Sequence, residues 1–127
     1  MPKPPEIDFG FIHEDEKTWD LDLPSEEMDL KELESNLDIA YLDKEGTDDW
    51  NLTLRELIDK PEKQPGHYEK IQKADIKYPI HIYFFKGSWR IIDGVHRLCK
   101  AFMKGRKTIF VCKVPSEMIP RILKETA

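Results

Sequence analysis

Apolar and polar positions alternate with a period of two over "TWDLDL". Trp19, Leu21 and Leu23 share one face, and the pattern predicts a strand that Pro24 ends. The period then lengthens. In "SEEMDLKELESNL" the leucines Leu30, Leu33 and Leu37 recur at spacings of three and four, with Ser25 placed as a cap, so a short helix is expected. "DIAYL" reads as a second short strand and "DKEGTDD" as a loop. Thr53 can cap "LRELIDK", whose Leu54, Leu57 and Ile58 make one apolar stripe. Pro61 and Pro65 bracket a turn, and "GHYEKIQKADI" resumes a helical pattern through Tyr68, Ile71 and Ala74.

From Tyr78 the period returns to two. "YPIHIYFF" sets Ile80, Ile82 and Phe84 against His81, Tyr83 and Phe85, so both faces of this strand are expected to be covered. "KGS" makes a hairpin-type turn and "WRII" the partner strand. In the helix that follows, Val95, Leu98, Cys99, Phe102 and Met103 fall on one core-facing stripe, and Gly105 sits where a left-handed residue closes a helix. "TIFVCKV" is a further strand. "PSEMIPRIL" is a closing helix that Pro120 interrupts or kinks. This order predicts an α+β fold, a small mixed β-sheet packed with helices.

Length and charge narrow the picture. At 127 residues the chain is most simply an extended N-terminal arm over 1–17, which holds three prolines, followed by one domain over 18–127. No apolar run is long enough for a membrane span, and the N-terminus lacks the apolar core of a signal peptide, so a cytoplasmic protein is expected. Cys99 and Cys112 form no CxxC pair. The four histidines show no metal-ligand spacing, so no metal site is expected. The net charge of −5 disfavours a protein built to ride on nucleic acid. Yet Lys86 to Lys113 carries eight Lys and Arg residues against the single acid Asp93, a local basic face suited to an anionic ligand.

The turn "DGVHR" is the densest chemistry. A strand that ends in Asp93-Gly94 and feeds a helix exposes the N–H groups near Val95, His96 and Arg97, an anion site before any side chain is counted. His96 and Arg97 stand where the positive end of the helix disfavours cations; a bound phosphate would neutralise both. Structural alternatives stand beside this one. Asp93 can be an N-cap, Arg97 can pair with Asp93, and His96 can bond to a neighbouring loop.

Pro79-Ile80, Asp93-Gly94, His96-Arg97, Ala101, Gly105, Ile109 and Val111 follow the pattern of the ParB/sulfiredoxin-like superfamily, which "PIHIYFFKGSWRIIDGVHRLCKAFMKGRKTIFVCKV" resembles. The resemblance covers about a third of the chain and implies that fold, with the turn cradling nucleotide phosphates. Gly94, Val95, His96 and Arg97 would then bind phosphate, and Asp93 and His96 would be the catalytic candidates. ATP, ADP or CTP with Mg²⁺ would be the cofactors. Sulfiredoxins carry a cysteine directly before the His-Arg pair, where this chain has Val95, so sulfinic-acid repair is not expected. Partition proteins have a Glu-Arg-Arg type of turn instead. A kinase-like member would need a base from the N-terminal half, with Glu26, Glu27, Glu32 and Glu34 available. The resulting expectation is a nucleotide- or phosphate-binding domain, as a phosphotransferase or phosphohydrolase. The alternatives are a non-catalytic module for a phosphorylated small molecule or protein partner and, less favoured, a nuclease domain.

Overall fold

The computed structural model describes residues 3–125. Its helices, numbered in chain order, are α1 (Asp15–Trp19), α2 (Leu54–Asp59), α3 (Pro65–Lys73) and α4 (Val95–Met103). Its strands are β1 (Glu26–Asp29), β2 (Ile80–Phe85), β3 (Ser88–Asp93) and β4 (Thr108–Lys113), and 3₁₀ segments cover Pro5–Ile7, Leu30–Asp38, Pro61–Lys63 and Ser116–Arg121. The strands form one sheet in the order β1-β4-β2-β3. β2 and β3 are an antiparallel hairpin, β4 lies parallel to β2, and β1 is antiparallel to β4. The fold is thus a small α+β fold with a mixed sheet, as expected. Among the described residues no helix is long and apolar enough to cross a membrane.

Both faces of the sheet are covered. Ile80, Ile82, Ile91, Ile109 and Val111 join Leu33, Leu54, Leu57 and Leu98 in the larger core, which sits under the Leu30–Asp38 segment, α2 and α4. On the opposite face, Ile92, Val114 and Ile122 pack with Phe9, Phe11, Leu21, Leu23 and Tyr83. The described part of the arm, residues 3–17, is therefore docked and partly helical instead of simply extended. Phe9 meets Tyr83 and Phe85 edge-on at 5.7 and 5.0 Å. The Glu14 N–H donates to Ile122 O (2.8 Å) and the Lys124 N–H to Ile12 O (2.9 Å), tying the two ends of the chain together. Met1 and Pro2 lie outside the described residues.

The second half keeps the predicted order; the first half departs from it. The expected strand over "TWDLDL" is the end of α1 followed by unpaired chain. Its alternation records Leu21 and Leu23 packing on the sheet, not a ladder. The expected helix from Ser25 splits in two. Glu26–Asp29 pairs with β4, and a 3₁₀ segment starts only at Leu30, where the Asp29 side chain accepts from the Lys31 N–H at 3.0 Å. Leu30, Leu33 and Asn36 are buried at a strict spacing of three, the 3₁₀ period. "DIAYL" supplies only the single bridge Leu42–Leu52. "PSEMIPRIL" forms a 3₁₀ segment with Pro120 inside it.

Candidate functional site

The Asp93-Gly94 turn sits where β3 hands over to α4. Gly94 is the cap residue of α4 with φ of 108°, a left-handed conformation that favours glycine. A Cβ there would lie 2.5 Å from Cγ2 of Ile80, which is fully buried. The glycine is thus demanded by the packing of the turn on β2, not by the approach of a ligand. The Asp93 side chain makes no capping bond. Instead its Oδ2 accepts from Trp19 Nε1–H at 2.8 Å and stands 3.9 Å from both Arg97 Nη1 and His81 Nδ1. The N-cap reading of Asp93 is therefore corrected. Among the described residues no protein group accepts from the N–H groups of Val95, His96 or Arg97, while the Leu98 N–H closes the first helical bond to Gly94 O at 3.0 Å.

These amides sit beside a cleft of about 610 Å³ between the turn, the end of α3 and the start of α1. Lys70, Lys73 and Arg97 bring positive charge to it; Asp15, Asp75 and Asp93 bring negative charge. Most are already engaged. Asp15 is 3.0 Å from His13, Asp75 is 3.6 Å from Lys77, and Lys73 is 2.8 Å from Glu69. Lys70 makes no ion pair among the described residues, which leaves its ammonium available to an anion. Glu26, Glu27, Glu32 and Glu34 lie outside the cleft, on β1 and the following 3₁₀ segment, so none is placed as the expected base.

The side chain of His96 has a protein partner on α3. Its Nε2 is 3.1 Å from His67 Nδ1, and the two rings stack with centroids 5.3 Å apart. His67 Nε2 is 2.7 Å from Asp43 O, a carbonyl that can only accept. His67 therefore carries its proton on Nε2, its Nδ1 is the acceptor, and His96 Nε2–H donates to it. Burial, with His67 and Lys70 close by, pushes the His96 pKa down to about 4. A neutral imidazole at the head of a helix conflicts with no dipole. Arg97 is accommodated as well: Nη1 donates to Pro79 O at 3.1 Å with Asp93 one turn back. The cations that looked misplaced in the sequence are thus settled by protein groups alone.

A second, more apolar groove of about 450 Å³ adjoins the first, and Tyr78 and Arg97 line both. Trp19, Leu21 and Leu23 form its outer wall. No local pattern marks the N-terminal segment as the builder of this wall, because Trp19 meets Asp93 across 74 residues. His67 and Lys70 were equally hidden, although both fall on the helix predicted just before β2. For Mg²⁺ the fit is poor. The ion favours carboxylate and phosphate oxygens, yet Asp93 is held by Trp19 beside a guanidinium, and no described cluster of three acidic, His or Cys groups is placed to hold a metal. No family model, curated protein or solved structure matches the chain, and the site is read from its own geometry.

Proposed function

We propose that the protein binds a phosphorylated small molecule, a nucleotide being the best fit, with phosphate on the amides of Val95, His96 and Arg97. The observation that carries the reading is this set of three unpaired N–H groups heading a nine-residue helix beside a cleft. Lys70 and the remaining N–H groups of Arg97 add charge-assisted donors. The adjoining groove, with Trp19 and Tyr78 both more than half exposed, offers aromatic surface for a base. His96 contributes its backbone N–H, since its Nε2 proton is committed to His67.

The reading is one of binding; phosphoryl transfer would be a further step. Asp93, held by Trp19, and His96, neutral and stacked, are fixed by protein partners and stand apart from an identified acceptor. The test is a thermal-unfolding panel with ATP, ADP, CTP, GTP, AMP and inorganic phosphate, each with and without Mg²⁺. Ligand at a hundred times its dissociation constant adds about 2.7 kcal/mol, a shift of several degrees. A selective shift that Lys70→Met weakens supports the site. Lys70 is the cleaner variant, because Arg97 also holds Pro79. A flat panel at millimolar ligand sinks the reading.

A further inference from the structure

The face of the sheet away from α4 carries a row of three reactive groups in adjacent strands. Cys112 of β4 is the register partner of His81 in β2, and His81 is the register partner of Asp93 in β3. Paired residues point to the same face, and neighbouring strands run about 4.8 Å apart. Thiol, imidazole and carboxylate therefore stand side by side. The second half of the row depends on an irregularity. β2 and β3 pair Ile82 with Ile91 and then His81 with Asp93, so Ile92 is an extra residue, a β-bulge that brings the aspartate opposite the histidine.

The row faces a ligand-sized space. His81 and Cys112 both line the apolar groove walled by Trp19, Leu21 and Leu23, with Arg97 at its edge. His81 is only 7% exposed, yet among the described residues its Nδ1 has no hydrogen-bond partner and lies 3.9 Å from Asp93 Oδ2. A buried ring nitrogen without a partner is costly and calls for an explanation. Trp19 Nε1–H, bonded to the same Asp93 oxygen, fixes the carboxylate from the other side. The other thiol gives a contrast. Cys112 is itself buried, 5% exposed, but lines the groove, whereas Cys99 is fully enclosed in the larger core, its pKa pushed up to about 12 by burial.

We propose that Cys112, His81 and Asp93 form a nucleophile–base–positioning row that accepts an acyl group from an apolar ester or thioester bound in this groove. His81 Nε2 takes the thiol proton as Sγ adds to the carbonyl carbon. The adduct collapses, the carbon–leaving-group bond breaks, and the leaving alcohol or thiol departs with the proton from His81. Cys112 is left as an S-acyl thioester. Water, deprotonated by the same nitrogen, then releases the carboxylic acid and restores the thiol, so no oxidant or reductant is needed. Asp93, 3.9 Å from Nδ1 at rest, would close onto Nδ1–H as the ring takes up the proton, leaving Nε2 as the base. Both central groups rest uncharged. Burial raises the Cys112 thiol and lowers His81, against the attraction of Asp93 and with Arg97 and His13 acting in the same sense as burial. The row therefore works by general-base catalysis and not by a standing thiolate. It shares the groove that the phosphate reading offers to a nucleotide base, but it rests on different residues and its test uses no nucleotide.

The experiment combines p-nitrophenyl butyrate with peptide mapping of the intact folded protein, followed by the pH dependence of iodoacetamide alkylation. The expected result is a butyryl group on the Cys112 peptide and none on Cys99. Alkylation of Cys112 should be nearly flat between about pH 6.5 and 8.5, because His81 supplies the base. In His81→Gln it should fall about tenfold for each pH unit lowered, the slope of a thiol that must ionise unaided. Asp93→Asn should slow acylation at least tenfold. The wild-type profile decides the question even if a variant is poorly folded. A tenfold-per-unit slope in the wild type, acylation confined to Cys99, or no acylation of Cys112 would each overturn the proposal. So would unchanged acylation in a folded His81→Gln.

Discussion

Replacing Gly94 with alanine tests the turn without needing any ligand. Two costs add. The left-handed backbone at φ 108° costs an L-residue about 1–2 kcal/mol. The new Cβ would also stand 2.5 Å from Ile80 Cγ2 and 2.9 Å from Ile80 Cβ. Ile80 is fully buried and cannot swing into solvent, so the overlap counts as overpacking, typically another 1–3 kcal/mol. The expected loss is about 2–5 kcal/mol, a large part of the roughly 5–15 kcal/mol that holds a domain of this kind. Gly105→Ala is the control. It too has positive φ, 66°, but a Cβ there meets nothing within 4 Å, so only the backbone cost of about 1–2 kcal/mol applies. Urea unfolding followed by circular dichroism gives both values. If Gly94→Ala is no more destabilising than Gly105→Ala, the turn does not press on β2 and the packing argument for Gly94 is wrong.

Three further outcomes follow from the same contacts. His96 titrates at about 4 when folded and near 6.5 when unfolded, so below pH 6.5 the unfolded chain takes up a proton that the folded one refuses. Stability should therefore fall from pH 6.5 toward 4, on the order of 3 kcal/mol from this group, and His96→Gln should show a shallower decline in a urea series across that range. Trp19→Phe removes the donor to Asp93 and should cost about 0.5–3 kcal/mol; faster amide exchange over Asp15–Leu23 would confirm that this bond pins the N-terminal wall. Asn36 is fully buried, donates to Leu33 O and Trp89 O, and accepts from Tyr41 and Arg90. Asn36→Leu would strand those groups and should cost roughly 3 kcal/mol or more, read as a lower melting temperature.

The second half of the chain was legible because its local signals agree with each other. The alternation through β2, the glycine turn, the stripe of α4 and Gly105 each predict the element that neighbours them in sequence, and the hairpin packs those neighbours together. In the first half, tertiary contacts decide. Leu21 and Leu23 alternate because they pack against the cluster of Ile92, Val114 and Ile122, which no local window contains. Met28 is the only buried residue of β1, so that strand has no apolar alternation to read. The leucines Leu30 and Leu33 fit helices of either pitch, and it is the buried Asn36, held by Trp89 O across 53 residues, that marks the tighter one. For the site, the glycine and the helix head were visible in "DGVHR". The roles of His96 and Asp93 were not, since His67, Trp19 and His81 fix them from elsewhere in the chain.

The bulge at Ile92 links the two halves of the site. Were β3 to continue in register past Ile91, His81 would pair with Ile92 and the side chain of Asp93 would fall on the α4 side of the sheet, away from His81 and Trp19. The extra residue turns Asp93 to the opposite face, beside His81 and under Trp19. The bulge therefore decides which groups meet: His81 gains a carboxylate 3.9 Å from its Nδ1, and Trp19 a partner for its ring N–H. The head of α4 keeps its amides unpaired for a separate reason, since its cap position is Gly94, which has no side chain to accept them. One turn thus leaves a helix head open toward one cleft and turns its aspartate toward the groove that carries His81 and Cys112, which is the structural basis on which both proposed sites rest.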